Sequence, residues 1–471
     1  MSRPRQRRRR RPVDPARRVA YDALRAVHAD DAYANLVLSD LLRERRIGGR
    51  DAGFATELLH GTCRAEGSYD LILEAASGRP VSGLQPAVLD VLRLGVHQLL
   101  AMRVPTHAAV DASVDLAAAA VGERVTGLVN AVLRKVAAHD RQAWNARITE
   151  GMSARDALAV EHDHPRWIVD AFAAALAACP AGESSDELAE LLAADNDPAS
   201  PTLVVRPGLA TRDELVAASG GRPTELSPFG VHATGYPGDL DAVRAGRAGV
   251  QDEGSQLVSR ALTVPEAPSG AWLDLCAGPG GKSALLHGLA AEQHTWVLAA
   301  ELQHHRARLV ARSLRAYPGL PRVITADGTR PAWREGSFAR VLADVPCTGL
   351  GSLRRRPESR WRRSSGALSD LVPLQRTLLH RALDAAKPAG ADTPGGVVAY
   401  VTCSPHPAET DEVVAAVLAE RDDVTVLDAP SALGDVAGVR RRELAPGAWS
   451  AQLWPHRHGT DAMYLALLQR R

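Results

Sequence analysis

Two cysteines stand where chemistry is a better account than packing. Asp344-Val345-Pro346-Cys347 and Thr402-Cys403-Ser404 each close a short apolar run, Ala339–Ala343 and Gly396–Thr402. A single cysteine in a strand is ordinarily a small buried hydrophobe. A pair of them, each at the end of such a run, weakens that account. A thiol beside a methyl donor has a specific use, the alkylation of an unreactive carbon. Cytosine C5 is not nucleophilic, but addition of a thiolate at C6 makes C5 enamine-like and able to take a methyl group from a sulfonium. A free thiol is only a few per cent ionised at neutral pH, so the site must activate it. An acid hydrogen-bonded to the base's N3 would ease the addition, and Asp344 is the candidate.

A donor site is legible upstream. The apolar run Ala271–Cys276 leads into Asp274-Leu275-Cys276-Ala277-Gly278-Pro279-Gly280-Gly281-Lys282 and then a helix. Three glycines let the backbone approach a ligand closely and present N–H groups at a helix start. Pro279 breaks the G-x-G-x-x-G dinucleotide pattern, and Cys276 stands where a P-loop needs its first glycine. The run Trp296–Ala300 ends in Glu301, 20 residues past Gly281, the separation at which an acid meets ribose hydroxyls. Val323–Ala326 leads to Asp327-Gly328, placed to meet an adenine edge. Acids in register at successive strand ends favour an adenosyl ligand without a triphosphate, and S-adenosylmethionine fits. His162-Asp163-His164 has no third ligand at sensible spacing and is followed by Pro165, so no metal is expected.

The elements that must position these residues follow from periodicity. Residues 13–140 read as a helical bundle: Val88, Leu92, Val96 and Leu99 share one face of a helix over Gln85–Met102, and Gly127–Val136 repeats the pattern. Residues 141–245 read as a small α+β piece, with a helix in Trp167–Leu176, a loop at Ala181–Asp186, a strand at Thr202–Val205 and a helix at Thr211–Ala218. In residues 246–471 strands alternate with helices (Lys282–Ala290 and His304–Ala316 among them), which implies a parallel doubly wound sheet completed by Ala462–Leu468. In such sheets the chemistry gathers at the carboxyl ends of the strands.

The composition is that of a multidomain globular chain: 471 residues, 45% hydrophobic, 24% charged, net charge +1. Bulk charge therefore gives no sign of a nucleic-acid binder. Residues 1–12, however, hold seven arginines and no acid, and read as a disordered basic arm. Without them 49 basic residues face 55 acidic ones. Only Lys135, Lys282 and Lys387 are lysines, so Lys282 at the glycine loop stands out. There is no run of about 18 apolar residues to span a membrane, no secretory signal, and no C-x-x-C pair. A cytoplasmic monomer with reduced thiols is expected, Cys63 and Cys179 being buried structural thiols.

The pairing of D-x-P-C with T-C-S, downstream of D-L-C-A-x-P-G-G-K, resembles the RNA (cytosine-5) methyltransferases. The whole chain after the arginine arm resembles the RsmB (Sun/Fmu) subfamily, which methylates a cytosine of small-subunit ribosomal RNA. Arg17–Arg141 is similar to that subfamily's NusB-like domain, and Val250–Gln256 to the segment leading into its Rossmann-like catalytic domain. The resemblance implies Cys403 as the nucleophile on C6 and Cys347 as the thiol that helps release the product. It also implies Cys276, Ala277, Gly278, Pro279, Gly280, Gly281 and Lys282 as the donor loop, with Glu301, Asp327 and Asp344 as further donor contacts. Lys282 would also approach the base. Gly278 replaces the family's usual alanine, and Asp461-Ala462-Met463-Tyr464 replaces a pattern nearer Asp-Gly-Phe-Phe, which questions any contact made by the missing aromatic.

RNA is the expected partner. After Cys347 the run Leu353–Arg363 holds six arginines and Trp361, and Arg354, Arg355, Arg356, Arg360 and Trp361 are the candidate contacts to phosphate and base. The target cytosine must be flipped or single-stranded. Two other functions compete: the same chemistry on transfer RNA, and a catalytically inactive RNA-binding or antitermination-type module. Intact cysteines and donor loop speak against the second.

Overall fold

The computed structural model describes residues 13–178, 185–438 and 449–471. The arginine arm, Cys179 and most of the expected Ala181–Asp186 loop lie outside them. The chain divides into two compact units: one runs to Val169 and takes in Arg355–Arg363, and the other comprises Asp170–Arg354 and Ser364–Arg471. Among the described residues no helix is long and apolar enough to cross a membrane.

The first unit is helical throughout. Helices cover Pro15–Ala29, Ala34–Glu44, Gly49–Arg64, Glu66–Ser77, Pro86–Leu100, Thr106–Ala120, Thr126–Val136, Arg141–Ile148 and Ala154–Glu161. The first starts as its sequence requires: the Asp14 carboxylate accepts the Arg17 N–H and Pro15 occupies the first turn. The expected stripe is inside, with Val88, Leu92 and Val96 buried and Leu99 packed against the same core. Cys63 is fully buried, and burial pushes its thiol well above the ordinary range.

A polar network crosses this core. His28 Nδ1 lies 2.8 Å from Asp90 and Nε2 3.1 Å from Glu66, while Arg25 and Arg93 also reach these carboxylates. A carboxylate only accepts, so both ring nitrogens must carry protons. Burial opposes the charge, but the bonds to Asp90 and Glu66 outweigh it and lift His28 to about 9. The folded value exceeds the unfolded one, so the stabilisation is complete below about pH 6.5 and disappears as pH rises through about 9. It amounts to about 3 kcal/mol. Melting curves of wild type and His28→Gln should therefore converge between pH 6.5 and 9.5; a constant gap across that window would contradict the charged assignment.

Arg355–Arg363 corrects an expectation. The Trp361 indole N–H donates to the carbonyls of Cys63 (2.9 Å) and Arg64 (3.1 Å), and its ring lies where a Cβ on Gly67 would stand, 2.3 Å away. Arg360 is fully buried and donates to Asp163 O. Arg362 donates to the carbonyls of Val27, Asp31 and Ala32. These are carbonyls at or just past helix ends, which lack intrahelical donors and attract cations. Arg360 and Trp361 are thus committed to the helical unit rather than free for RNA. Arg354, in the other unit, is also withdrawn: its side chain is 9% exposed, donates to Gly459 O at 2.9 Å and lies 3.5 Å from Asp461. Arg356 stays exposed, 5.0 Å from the Tyr33 ring centroid, and Arg355 is half-buried. Trp361→Ala should destabilise the helical unit by about 3 kcal/mol through lost packing and two orphaned carbonyls, read by urea unfolding. A loss of RNA affinity at unchanged stability would restore the original assignment.

The second unit begins with helices Arg166–Ala177, which crosses its boundary, and Ser185–Ala194, then a small antiparallel sheet. Its strands are β1 (Thr202–Val205), β2 (Arg222–Pro223), β3 (Gly230–His232) and β4 (Ala248–Val250), in the order β2-β3-β1-β4. The helix Arg212–Ser219 opens on a capping box between Thr211 and Glu214.

The large sheet contains β5 (Trp272–Asp274), β6 (Val297–Glu301), β7 (Val323–Thr325), β8 (Arg340–Asp344), β9 (Val397–Thr402), β10 (Val424–Leu427), β11 (Ala451–Gln452) and β12 (Tyr464–Arg470). Its order is β10-β12-β9-β8-β5-β6-β7, with β11 on β12. β5 to β9 pair in parallel, but β12 runs antiparallel to β9, β10 and β11. The sheet is therefore mixed rather than wholly parallel, because the last strand enters between β9 and β10. β9 is buried on both faces: Val397, Ala399 and Val401 join one core and Val398 and Tyr400 the other, the period of two expected of a central strand.

Candidate active site

β9, β8, β5, β6 and β7 lie side by side and parallel, so their carboxyl ends form one edge with steps of about 4.8 Å. Along that edge come Cys403 after β9, Asp344 and Cys347 at the end of β8, the glycine loop after β5, Glu301 closing β6 and Asp327 after β7. Residues far apart in sequence thus meet through strand order.

The two thiols are in contact, Cys347 Sγ lying 3.3 Å from Cys403 Sγ. Its hydrogen bond with Cys403, then burial, hold the Cys347 thiol well above its usual range. Two adjacent sulfurs resist double ionisation. Lys282 Nζ stands 2.9 Å from Asp344 Oδ2, with the two side chains 14% and 25% exposed. Burial works against the ammonium, but Asp344 outweighs it, and charge on Cys403 acts in the same sense, so Lys282 is held above its ordinary value. The third thiol of the edge, Cys276, is pushed well up by burial, with Asp274, Asp344 and Glu301 adding to the effect. The edge therefore brings two sulfurs in contact together with a cation–carboxylate pair.

The glycine loop is held from several sides. Gly278 N–H donates to Glu301 (2.9 Å), Gln303 N–H donates to the same carboxylate (3.0 Å), and Arg306 donates to Gly278 O (2.7 Å). A Cβ on Gly278 would meet Glu301 Oε2 at 2.1 Å, so glycine here brings that acid against the loop. Gly280 has φ 109°, and Ser313 donates to its carbonyl at 3.0 Å. Gly281 opens the helix Gly281–Glu292; a Cβ there would meet Gln251 at an ordinary contact distance of 3.8 Å, and Gln251 Oε1 is buried without a partner among the described residues. Asp274 is fully buried and receives the Ser283 hydroxyl; burial lifts it to about 7. Asp327 accepts the Thr329 N–H (2.9 Å) and hydroxyl (2.7 Å), which hold it below the usual carboxylate range.

Sequence reasoning missed the frame of the Cys347 loop. Glu409, fully buried, accepts the Thr348 N–H and hydroxyl and the Gln375 amide. In sequence it resembles the acids Asp411 and Glu412 of the next helix start, and nothing in that pattern marks it as interior. Gly351 was missed as well: its N–H donates to Cys403 O and its carbonyl accepts from Ala462 N–H, both at 2.8 Å. A Cβ there would stand 2.0 Å from Ala462 O. Gly351→Ala should therefore displace Cys403 and lower kcat by about 100-fold, since misplacement of about 1 Å has that scale; wild-type turnover would refute it.

A family model described as "16S rRNA methyltransferase RsmB/F" matches residues 261–469, and one described as "NusB family" matches residues 14–138. The putative methyltransferase Rv1407 of Mycobacterium tuberculosis is 49% identical, covering 98% of this chain and 98% of its own length. The chain belongs to the RsmB/F methyltransferase family. A Synechocystis protein named probable ribosomal RNA small subunit methyltransferase B is 28% identical over 97% of this chain and 99% of its own. Among solved structures, the crystal structure of PH0851 superposes with a TM-score of 0.78 over 98% of this chain and 100% of that one. At 19% identity that likeness concerns the fold. Met463, where the RsmB pattern carries an aromatic residue, is buried against Leu257 and Leu453 in the sheet's core, so at this position the side chain packs rather than reaching a base.

Proposed function

We propose that this RsmB/F-family chain is an S-adenosylmethionine-dependent RNA cytosine-C5 methyltransferase that forms 5-methylcytosine in small-subunit (16S) ribosomal RNA. The observation that carries the reading is the pair of sulfurs 3.3 Å apart beside the Lys282–Asp344 ion pair. Methylation of oxygen or of an exocyclic nitrogen has no use for two thiols in contact, whereas C5 alkylation needs one sulfur to add and leave. The ribosomal target rests on relatives named as ribosomal RNA small subunit methyltransferase B.

The residues fit the donor. Gly281 opens a helix, the neighbouring Gln251 Oε1 is buried without a partner among the described residues, and Glu301 closes the adjoining strand. Bound there, S-adenosylmethionine supplies an electrophilic methyl group on a sulfonium. Cys276–Lys282, Glu301, Asp327 and Asp344 hold it. Cys403 adds to C6, placing the electron pair of the C5–C6 bond on C5. Lys282 stabilises the attacking thiolate, and Asp344 faces the ring edge at N3. After C5 has taken the methyl group, a base removes the C5 proton, the freed pair re-forms the C5–C6 double bond, and Cys403 leaves with the S–C6 pair as a thiolate beside the Cys347 S–H. Cys347 thereby assists release. Arg355 and Arg356 remain the RNA contacts from the arginine run.

The test is methyl transfer from labelled donor to deproteinised small-subunit RNA and, in parallel, to transfer RNA, followed by nucleoside analysis. Label in 5-methylcytosine of the small-subunit RNA is expected. Label only in transfer RNA would overturn the target, and label on any other atom would overturn the chemistry.

A further inference from the structure

Glu409 is a buried carboxyl group whose side-chain partners among the described residues belong to a thiol-bearing segment or brace one. Its Oε1 accepts the backbone N–H of Thr348, the residue after Cys347, at 2.8 Å, and the Gln375 amide at 3.0 Å. Its other oxygen accepts the Thr348 hydroxyl. The same Gln375 amide donates to Pro346 O at 2.8 Å, so Cys347 is gripped through both of its chain neighbours. On the other side, Thr348 Oγ1 lies 3.1 Å from the hydroxyl of Ser404, the residue after Cys403. The backbone carbonyl of Glu409 receives the Tyr400 hydroxyl at 2.8 Å, from the strand that delivers Cys403. Glu409, Thr348, Ser404 and Gln375 are all buried. Such a group is kept by its donors, because a buried acceptor without them is costly.

We propose that Glu409 is the positioning residue that sets the distance between the Cys347 and Cys403 sulfurs, acting through Thr348 and Gln375. The inference rests on the two-thiol reading given above for its bearing on turnover. The spacing itself is independent of it. A one-residue wedge joining the two loops is needed because neither loop has a regular ladder to hold it: residues 345–349 and 403–406 are outside strands and helices. Transfer and release both depend on which sulfur stands where, and displacements of about 1 Å are costly to such steps.

The spacing can be measured without RNA or methyl donor. Oxidised glutathione closes a Cys347–Cys403 disulfide, the two thiols losing their hydrogens and electrons to yield two reduced glutathiones, and peptide mapping follows the rate. Sulfurs 3.3 Å apart need little movement to reach the bonded distance. Glu409→Gln, which replaces one acceptor oxygen by a donor, should slow closure about tenfold. It should also lower kcat about tenfold or more, with KM for RNA and donor unchanged. Thr348→Val should do the same, while Thr348→Ser, which keeps the hydroxyl, should behave as wild type. The Thr348 pair decides the matter if Glu409→Gln does not fold. Wild-type closure in both Glu409→Gln and Thr348→Val overturns the proposal, and slowed closure with unchanged kcat overturns its bearing on turnover. If wild type forms no 5-methylcytosine but closure still depends on Glu409 and the Thr348 hydroxyl, the functional reading fails and the control of spacing stands.

Discussion

Cys403→Ala is expected to abolish methyl transfer, and Cys347→Ala to leave the protein joined to its RNA. The two results differ because the sulfurs, though 3.3 Å apart, are in unlike surroundings. Cys403 interacts with the Lys282 ammonium through its charge, while the bond to Cys403 and burial push the Cys347 thiol well up. Removing Cys403 removes the atom that makes C5 reactive, and burial, which remains when Cys403 is gone, still opposes ionisation of Cys347 and Cys276. Activity should fall by at least about 10⁴-fold, the scale on which loss of a covalent nucleophile is felt. Cys347→Ala leaves addition and alkylation possible but takes the S–H away from the departing sulfur. Its product should migrate as an RNA–protein adduct on a denaturing gel, resistant to heat and sodium dodecyl sulfate, and turnover should stop near one equivalent. Residual turnover in Cys403→Ala would move the nucleophile to Cys347 or to a non-covalent route.

How much of this was legible in the sequence follows from how far each feature depends on neighbours in the chain. Strand ends were legible, because apolar runs bounded by acids and glycines are local signals: the runs before Asp274, Glu301, Asp327 and Asp344 all became parallel strands, in register as expected. The direction of β12 was not. Its buried residues alternate between the two cores as a parallel central strand's would, Leu465 and Leu467 on one face and Tyr464 and Ala466 on the other, and periodicity carries no orientation. The arginine run failed for a related reason. Its charge is visible in sequence, but Arg360, Trp361 and Arg362 meet carbonyls of Asp163, Cys63 and Val27, hundreds of positions away for the last two. A solvated basic face and a set of helix-end donors have the same composition. Glu409 was hidden likewise, since only the fold reveals that its partners are Thr348 and Gln375. The reactive residue types were thus readable, while the residues that hold them were not.

Lys282→Met should move the pH profile of the reaction as well as its rate. Lys282 is 2.9 Å from Asp344 and is stabilised by charge on Cys403; the coupling is mutual, so the ammonium favours the Cys403 thiolate by the same interaction. Without it, the sulfur loses that favourable positive charge, which disfavours a negative charge there. The sign is definite: removing a cation raises the thiol's pKa, so a smaller fraction is thiolate at any given pH below it. An opposite charge in close range is worth about one to three units. The rising limb of kcat/KM should accordingly shift alkaline by at least about one unit, with activity at pH 7 down by about 10 to 100-fold. Part of the loss should be recovered at pH 9, which a mere collapse of the site would not allow. Lys282→Arg keeps the charge but presents it as a flat fork rather than a compact point, and should keep the profile's position while losing some rate. A methionine variant with an unmoved profile would show that Lys282 serves Asp344 alone, and the source of Cys403 activation would then have to be sought in the thiol pair itself.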